Sequence, residues 1–295
     1  MKIARFDNGR IGVVVGDEIV DVTEAAGVDP AVWPPVGPTA VIAEFAALRP
    51  AIEAAVATGS RKPLANVTLL TPVPWPNKVV AYPVNYHAHG REMQASYRAT
   101  HQGFFLKPPS SLSGAGEPVI LPDVPGREVH HECELAIIIG RQARNVKRED
   151  WHDYVFGYAC LLDMVVRGRE ERVTRKAYDT FCPVGPWITT ADEVKNPEAL
   201  QAKLWVNDEL RQSANTRDLV LDIPGMIETA AAVMTLYPGD IIATGTPEGV
   251  GPVVPGDKIR IAIEDVGEMT VDVVQGSGGY TEVFEKPYTP DIIKV

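Results

Sequence analysis

Two glutamates, Glu132 and Glu134, stand one residue apart at the start of the apolar run HHECELAIIIG. Because side chains alternate between the two faces of a strand, both carboxylates are predicted to lie on one face, about 6–7 Å apart. Two like charges at the head of a buried strand are costly, and a hard divalent cation with oxygen ligands removes that cost. The alternative, which the spacing alone favours, is a strand end where both glutamates reach solvent or pair with arginines.

A third acid, Asp163, lies in the apolar run GYACLLDMVV. A buried, unpaired aspartate is unfavourable, so Asp163 is a natural third oxygen ligand for a cation. The sequence supports equally well a strand that ends at Leu162, with Asp163 capping a turn. His130, His131 and Cys133 suggest zinc as another candidate. Strand alternation places His131 and Cys133 opposite the glutamates, which argues against a compact zinc site.

His89 and Glu92 stand three residues apart in the polar stretch NYHAHGREM. A histidine oriented by a carboxylate can act as a general base near neutral pH. In isolation, an ordinary polar loop with exposed side chains explains this spacing better. The sequence has no phosphate-binding loop, dinucleotide fingerprint, nucleophile elbow or H-E-x-x-H pattern, so none of these chemistries competes with the acids and the histidine.

The composition narrows the class of protein. The 295 residues include 28 basic and 39 acidic side chains, which give a formal net charge of −11. This acidic balance argues against nucleic acid and anionic membranes as partners. Apolar runs are far shorter than the ~20 residues of a membrane helix, and the N-terminus shows no apolar secretory segment. Three widely spaced cysteines are not a disulfide framework, so we expect a cytoplasmic protein with reduced thiols.

The elements that must position these residues are mainly strands. The 25 glycines and 25 prolines indicate many turns. Residues 1–24 predict an antiparallel meander that turns at Asn8-Gly9, and residues 38–59 predict a helix interrupted at Pro50. A proline-rich linker follows near residue 70. We therefore expect a β-dominated α+β protein with few helices, divided into a small N-terminal domain (residues 1–70) and a main domain (residues 75–295).

The motifs occur in this order: YPVNYHAH, FFLKPPSSLSG, HHECELAIIIG, GYACLLDM, KAYDTFCPVGPW, VNDELRQSANT and PGDIIATGTPEGVG. Over roughly residues 75–275 this succession resembles the fumarylacetoacetate hydrolase (FAH) superfamily. E-x-E, the K…D-x-F-C-P-x-G-P-W block and T-G-T-P-E-G-V-G are highly specific in combination. The resemblance implies a mixed β-sandwich roll with a small N-terminal β-rich domain, a homodimer, and one divalent metal per subunit, Mg²⁺ or Mn²⁺, with Ca²⁺ as an alternative.

The resemblance also implies roles for single residues. The family's metal ligands correspond to Glu132, Glu134 and Asp163. Its base and the partner of that base correspond to His89 and Glu92, and its oxyanion-stabilising or proton-donating lysine corresponds to Lys176. Positions that usually contact substrate correspond to Lys107, which has an alternative structural role, and to Arg167, Gln212 and Thr246. Arg91, Arg98 and Arg167 are candidates to meet a second substrate carboxylate, with exposed salt bridges as the alternative.

The activity implied by the resemblance is metal-dependent hydrolysis of a carbon–carbon bond in a diketo acid. The substrate would be a small dicarboxylic or 2-oxo acid, such as an acylpyruvate or a fumarylpyruvate-like compound from aromatic catabolism. The same metal–enolate chemistry supports a 2-hydroxy-diene-dioate isomerase or an oxaloacetate decarboxylase, and a third alternative is a catalytically silent binding homodimer. Leu162, Gly168 and Ala88 replace polar residues common in the family, which leaves the reaction type and the substrate open.

Overall fold

The computed structural model describes residues 1–281. The strands are β1 Lys2–Phe6, β2 Arg10–Val15, β3 Glu18–Asp21, β4 Arg61–Pro63, β5 Leu69–Leu70, β6 Val79–Ala81, β7 Phe105–Lys107, β8 Leu112–Ser113, β9 Val119–Leu121, β10 Val129–His131, β11 Cys133–Ile139, β12 Val155–Leu162, β13 Val165–Val166, β14 Cys182–Thr190, β15 Gln201–Val206, β16 Glu209–Asn215, β17 Ile241–Ala243, β18 Gly251–Val253, β19 Lys258–Ile263 and β20 Gly267–Gln275. The α-helices are α1 Gly37–Ala43, α2 Phe45–Thr58, α3 His87–Glu92, α4 Ala99–Gln102, α5 Arg172–Lys176 and α6 Ile223–Val233. Strands predominate, so the expected β-dominated α+β class is confirmed.

The largest sheet has the strand order β4-β3-β2-β1-β14-β12-β11-β17-β6-β7, with β5 added to β1 and β8 added to β14. Strand β11 is buried at every position, which explains its run of apolar residues. Its side chains alternate between two hydrophobic clusters, with Leu135 and Ile137 in one and Ala136 and Ile138 in the other. This strand is therefore held rigidly between two packed layers.

The N-terminal strands belong to the same sheet as the strands of the main region. Strand β1 pairs with β14, with Lys2 opposite Thr189, and Ile3 packs in one cluster with Ile138. The division into residues 1–70 and 75–295 stays a prediction, and residues 282–295 lie outside the described part of the chain. Among residues 1–281, no helix is both long and apolar enough to cross a bilayer.

The predicted turn at Asn8-Gly9 connects β1 and β2, and Gly9 has a φ of 90° there. The predicted helix over residues 38–59 is present as α1 and α2. The interruption, however, lies at Glu44 and not at Pro50, which is accommodated inside α2. A proline in a helix removes one backbone hydrogen bond, and here the loss does not end the helix.

Two smaller sheets complete the fold, one with the order β13-β10-β18 and one with the order β16-β15-β19-β20-β9. Only Glu132 separates β10 from β11, and Asp163 is one of two residues between β12 and β13. β10 pairs with β13 in one sheet, and β11 pairs with β12 in the other. The segment that joins β10 to β11 and the segment that joins β12 to β13 therefore run next to each other where they pass between the two sheets. The Asp163 N–H donates to the Glu132 carbonyl oxygen at 3.0 Å at this crossing.

Candidate active site

The crossing between the two sheets brings three carboxylates together. Glu132, Glu134 and Asp163 each offer an oxygen, and these oxygens lie within 4.8 Å of one another. All three side chains are buried. The strand does end at Leu162, yet Asp163 joins the two glutamates. Both glutamates therefore face one site, as strand alternation predicts, although Glu132 lies between strands and not within one.

Two buried lysines fix these acids. The Lys176 ammonium donates to Glu132 Oε2 at 2.6 Å and to Asp163 Oδ2 at 2.5 Å. The Lys107 ammonium lies 2.7 Å from Asp163 Oδ1 and donates to the Lys176 carbonyl oxygen at 2.6 Å. Lys107 therefore holds both Asp163 and the end of α5 that carries Lys176. This placement matches the structural alternative for Lys107, and its contact with substrate stays a prediction.

The charges of the cluster favour an added cation. Burial, and next the charge of Asp163, raise the pKa of Glu134 well above its ordinary value. Burial alone would also raise the pKa of Asp163, but Lys107 and Lys176 outweigh it and lower that pKa. Burial alone would lower the pKa of Lys176, whereas the neighbouring carboxylates outweigh it and raise that pKa. Three carboxylates thus face two ammonium groups, and a set of oxygen donors suits a hard divalent cation such as Mg²⁺ or Mn²⁺.

Glu134 has no lysine or arginine within ion-pair distance among the described residues, and it is held by a backbone loop. The Gly245 N–H donates to Glu134 Oε2 at 2.8 Å. Gly245 has a φ of 90°, and a Cβ there would lie 2.7 Å from the Asn85 Cβ and 2.8 Å from the Tyr82 carbonyl oxygen. The T-G-T-P segment therefore needs glycine at this position to bring its N–H to the Glu134 carboxylate.

Gln212 connects strand β11 to the same loop. Its Oε1 accepts from the Cys133 N–H at 2.9 Å, and its Nε2 donates to Thr246 Oγ1 and to the Pro247 carbonyl oxygen, each at 2.9 Å. Gln212 is buried behind Thr246 and does not line the cavity, whereas Thr246 does. Direct contact of Gln212 with substrate stays a prediction, and its visible role is to position Thr246.

His89 and Glu92 form the expected pair on helix α3. His89 Nδ1 lies 3.0 Å from Glu92 Oε2, and Glu92 Oε1 accepts from the Gly249 N–H at 2.9 Å. Glu92 is thereby fixed between α3 and the glycine-rich loop. A histidine that donates its Nδ1–H to a carboxylate keeps Nε2 free to accept a proton. His89 lines the cavity, whereas Glu92 does not and contacts the His89 ring from outside it.

A cavity of about 310 Å³ joins these groups. It is lined by the three carboxylates, by Lys176 and His89, and by three arginines, which are Arg167, Arg172 and Arg175. Of the arginines considered from the sequence, Arg167 lines the cavity, whereas Arg91 and Arg98 do not. Arg98 donates to the carbonyl oxygens of Ala95 and Tyr97. Arg172 and Arg175 were not predicted from the sequence, because RGREERVTRK is typical of an ordinary exposed basic stretch.

The alternative chemistries find no support in this geometry. His130 Nε2 lies 2.8 Å from Glu128, and His131 Nδ1 lies 3.2 Å from Gln212. Among residues 1–281, the carboxylate triad is the only group of three or more histidine, cysteine, aspartate or glutamate side chains that is placed to hold a metal. Zinc at the histidines and Cys133 is therefore not supported. Cys182 is a candidate nucleophile by residue type, but burial raises the pKa of its thiol to about 12, which leaves it a poor nucleophile at neutral pH.

A buried cation site built from carboxylates, with a histidine–glutamate pair facing the same cavity, defines a divalent-metal-dependent enzyme on a β-dominated fold. The family model described as fumarylacetoacetate (FAA) hydrolase, C-terminal, matches residues 78–274. The chain belongs to the fumarylacetoacetate hydrolase family. The family resemblance and the FAH-type roll expected from the motifs are thereby confirmed.

Several characterised relatives are similar over most of the chain. A maleylpyruvate hydrolase from Aquipseudomonas alcaligenes is 46% identical over 285 residues, which are 92% of this chain and 99% of that protein. The crystal structure of maleylpyruvate hydrolase from Sphingobium sp. SYK-6 in complex with manganese(II) ion and pyruvate is 70% identical, with a TM-score of 0.87, over 94% of this chain and 100% of that chain. The crystal structure of a 5-carboxymethyl-2-hydroxymuconate delta-isomerase from Mycobacterium smegmatis is 33% identical, with a TM-score of 0.73, over 94% of this chain and 100% of that chain.

Proposed function

We propose that this chain hydrolyses an acylpyruvate to pyruvate and a carboxylic acid in aromatic-compound catabolism, with Mg²⁺ or Mn²⁺ as its cofactor. The observation that carries the proposal is the placement of the His89–Glu92 pair and the carboxylate triad on one cavity. Hydrolysis needs both a base for water and a site that binds the 2-oxo acid. The similarity to maleylpyruvate hydrolases, one of them bound to manganese and pyruvate, supports this assignment.

The residues have separate tasks in this reaction. Glu132, Glu134 and Asp163 would hold the divalent ion, which supplies Lewis-acid polarisation of the substrate oxygens when bound. His89, oriented by Glu92, would take a proton from the attacking water. Lys176 would donate a hydrogen bond to the oxyanion that develops on the distal carbonyl. After the carbon–carbon bond breaks, His89 would return a proton to the pyruvate carbon.

An isomerase or decarboxylase acting on a related diene-dioate or on oxaloacetate is the second candidate. The same lysine and histidine can move a proton on an enolised 2-oxo acid without attack by water. The similarity to a delta-isomerase at 33% identity favours this candidate over other enzyme classes. The two candidates differ in their products. Hydrolysis consumes water and releases pyruvate with a carboxylic acid, whereas isomerisation breaks no carbon–carbon bond and decarboxylation of oxaloacetate releases pyruvate with CO₂.

The test is a turnover screen of the purified protein with Mg²⁺ or Mn²⁺, with and without EDTA. The panel contains acylpyruvates, oxaloacetate and 2-hydroxy-diene dioates, followed by ultraviolet absorbance and pyruvate release. We expect metal-dependent pyruvate release from an acylpyruvate. A spectral shift without cleavage, or release of CO₂, would favour the second candidate. Metal binding without any turnover would favour a silent binding protein.

Replacing His89 with alanine is expected to lower kcat by about 10²- to 10³-fold, because the base for water is lost. Metal affinity should stay close to that of the wild type, since His89 is not among the carboxylate ligands. The matched control is His87→Ala, which removes an exposed imidazole from the same helix. Steady-state kinetics and a metal titration check both statements, and equal losses in the two variants would contradict the assignment of His89 as the base.

We further propose that the protein acts as a homodimer in the cytoplasm. The family resemblance supports the dimer, and the three free, buried cysteines fit a reducing compartment. Light scattering after size exclusion should give twice the chain mass of 32.0 kDa. A monomeric mass would contradict the dimer, and recovery of the protein outside the cytoplasmic fraction would contradict the compartment.

A further inference from the structure

Three arginines line the cavity beside the three carboxylates, and none of them pairs with an acid in the part of the chain that the structure describes. Among residues 1–281, no carboxylate lies within ion-pair distance of Arg167, Arg172 or Arg175. Arg172 donates to the Tyr97 hydroxyl at 2.8 Å and to Gln102 Oε1 at 3.1 Å, both uncharged groups. The three arginine residues are half-buried. Positive charge that is partly buried and unpaired on a cavity wall is typical of an anion-binding site.

Two acids, Glu170 and Glu171, lie in the same stretch of chain as these arginines, and neither is within ion-pair distance of them. Glu170 lies 2.6 Å from Arg127 Nη2, so its charge is neutralised by that residue. Arg127 Nε also donates to the Arg167 carbonyl oxygen at 2.8 Å, and Arg175 Nε donates to the Glu170 carbonyl oxygen at 2.8 Å. The Arg127–Glu170 pair therefore braces the backbone that carries Arg167 and Arg175 without using their charges.

Gly168 leaves the space that the Arg127 guanidinium occupies. A Cβ at residue 168 would lie 1.8 Å from Arg127 Nη2, so a side chain there would displace the guanidinium. Glycine at this position leaves room for Arg127 and places no acid beside Arg167. Both effects leave the positive charge of Arg167 available.

The acids of the metal cluster do not satisfy the arginines either. Glu132 and Asp163 are held by Lys176, and Asp163 is also held by Lys107. Burial, and then the positive charge of Arg167, lower the pKa of Arg175 from its ordinary value. Its guanidinium still carries a proton at neutral pH. Like charges that crowd a partly buried wall are stabilised when an anion binds between them.

Resting on the proposed function, we propose that Arg167 and Arg175 bind a second carboxylate at the far end of the substrate's acyl chain, with Arg172 reinforcing the positive charge. The enzyme would thereby select acylpyruvates with two carboxylates over those with a neutral acyl group. A guanidinium group matches a carboxylate in a planar, two-point contact. One end of the substrate would then meet the metal-binding acids and the other end this arginine wall.

The test compares kcat/KM for an acylpyruvate with a distal carboxylate, maleylpyruvate or fumarylpyruvate, against acetylpyruvate, which has none. The wild type should prefer the dicarboxylate. In Arg175→Gln the preference should fall about 10- to 100-fold, mainly through KM for the dicarboxylate. The kcat/KM for acetylpyruvate should change little. Arg167→Gln should act in the same direction, and Arg175→Lys should retain part of the preference.

The control is Arg61→Gln, which removes the same charge from an exposed residue paired with Glu18 on the N-terminal strands. Its substrate preference should equal that of the wild type. The acetylpyruvate rate also shows whether each variant is folded and active. Turnover of both substrates with an unchanged preference in Arg175→Gln and Arg167→Gln would overturn the arginine site alone. A wild type inactive on every acylpyruvate would overturn the proposed function and this proposal with it.

Discussion

Replacing Lys176 with methionine is expected to lower kcat for acylpyruvate hydrolysis by about 10³-fold while Mg²⁺ or Mn²⁺ still binds. The Lys176 ammonium lines the cavity and is held by Glu132 at 2.6 Å and Asp163 at 2.5 Å, so its position is fixed before the substrate arrives. A donor that is already oriented in a buried site stabilises a developing oxyanion far better than water does. Methionine keeps much of the apolar stem and removes the charge.

The same substitution should tighten metal binding, because it removes a competing positive charge from between two carboxylates. Lys62→Met is the matched control, since it removes an exposed ammonium on β4, outside the cavity lining. Kinetics and a calorimetric metal titration measure both effects. A kcat for Lys176→Met within 10-fold of the wild type would contradict the oxyanion role (about 1.4 kcal/mol). Loss of metal binding would instead place Lys176 among the groups that build the metal site.

The three clustered acids could be singled out from the sequence because each of them breaks a local pattern. Glu132 and Glu134 open a long apolar stretch, and Asp163 interrupts another one. An acid in such a stretch is either at an edge or held by a partner, so it indicates a site. The position of Glu132 and Asp163 between strands of different sheets was not predictable. It depends on the pairing of β10 with β13 and of β11 with β12, which are contacts between distant segments.

The supporting residues were harder to assign, because their roles depend on partners far away in the sequence. Gln212 reads as a polar strand residue until the fold brings the Cys133 N–H and Thr246 to its two ends. Arg175 reads as one of several exposed basic residues until the fold shows that Arg127 occupies Glu170. The type and spacing of residues in the sequence identify candidates for a site. Whether a candidate is available for a ligand depends on which of its neighbours in the fold already pair with each other.

Replacing Glu134 with glutamine is expected to abolish metal-dependent activity, down to the level of the EDTA-treated wild type. Glutamine keeps an oxygen that can accept from the Gly245 N–H, so the loop need not move. It offers no negative charge to the cation. Loss of groups that merely orient metal ligands costs about 10- to 100-fold in metal affinity, so loss of a ligand should cost at least about 10²-fold.

Although Glu134→Gln should lose activity, it should make the metal-free protein more stable. The pKa of Glu134 in the folded chain lies well above its ordinary value of 4.5, because of burial first and of Asp163 second. The folded state thus holds this proton more tightly than the unfolded state. The resulting stabilisation is present below pH 4.5 and is lost as the pH rises toward the folded pKa. Because glutamine never loses a proton, metal-free Glu134→Gln should exceed the metal-free wild type in Tm increasingly above pH 4.5.

With added metal, the wild type should instead have the higher Tm. Free Mg²⁺ or Mn²⁺ at about 100 times its Kd stabilises the wild type by about 2.7 kcal/mol, and the variant by far less. Thermal unfolding at several pH values, with EDTA and with metal, therefore tests both halves of the argument in one experiment. Glu24→Gln, at an exposed acid of the N-terminal region, should show neither effect. A variant that gains as much Tm from metal as the wild type would remove Glu134 from the ligand set. A metal-free Tm difference that does not vary with pH would show that its carboxylate is ionised at no cost in the folded protein.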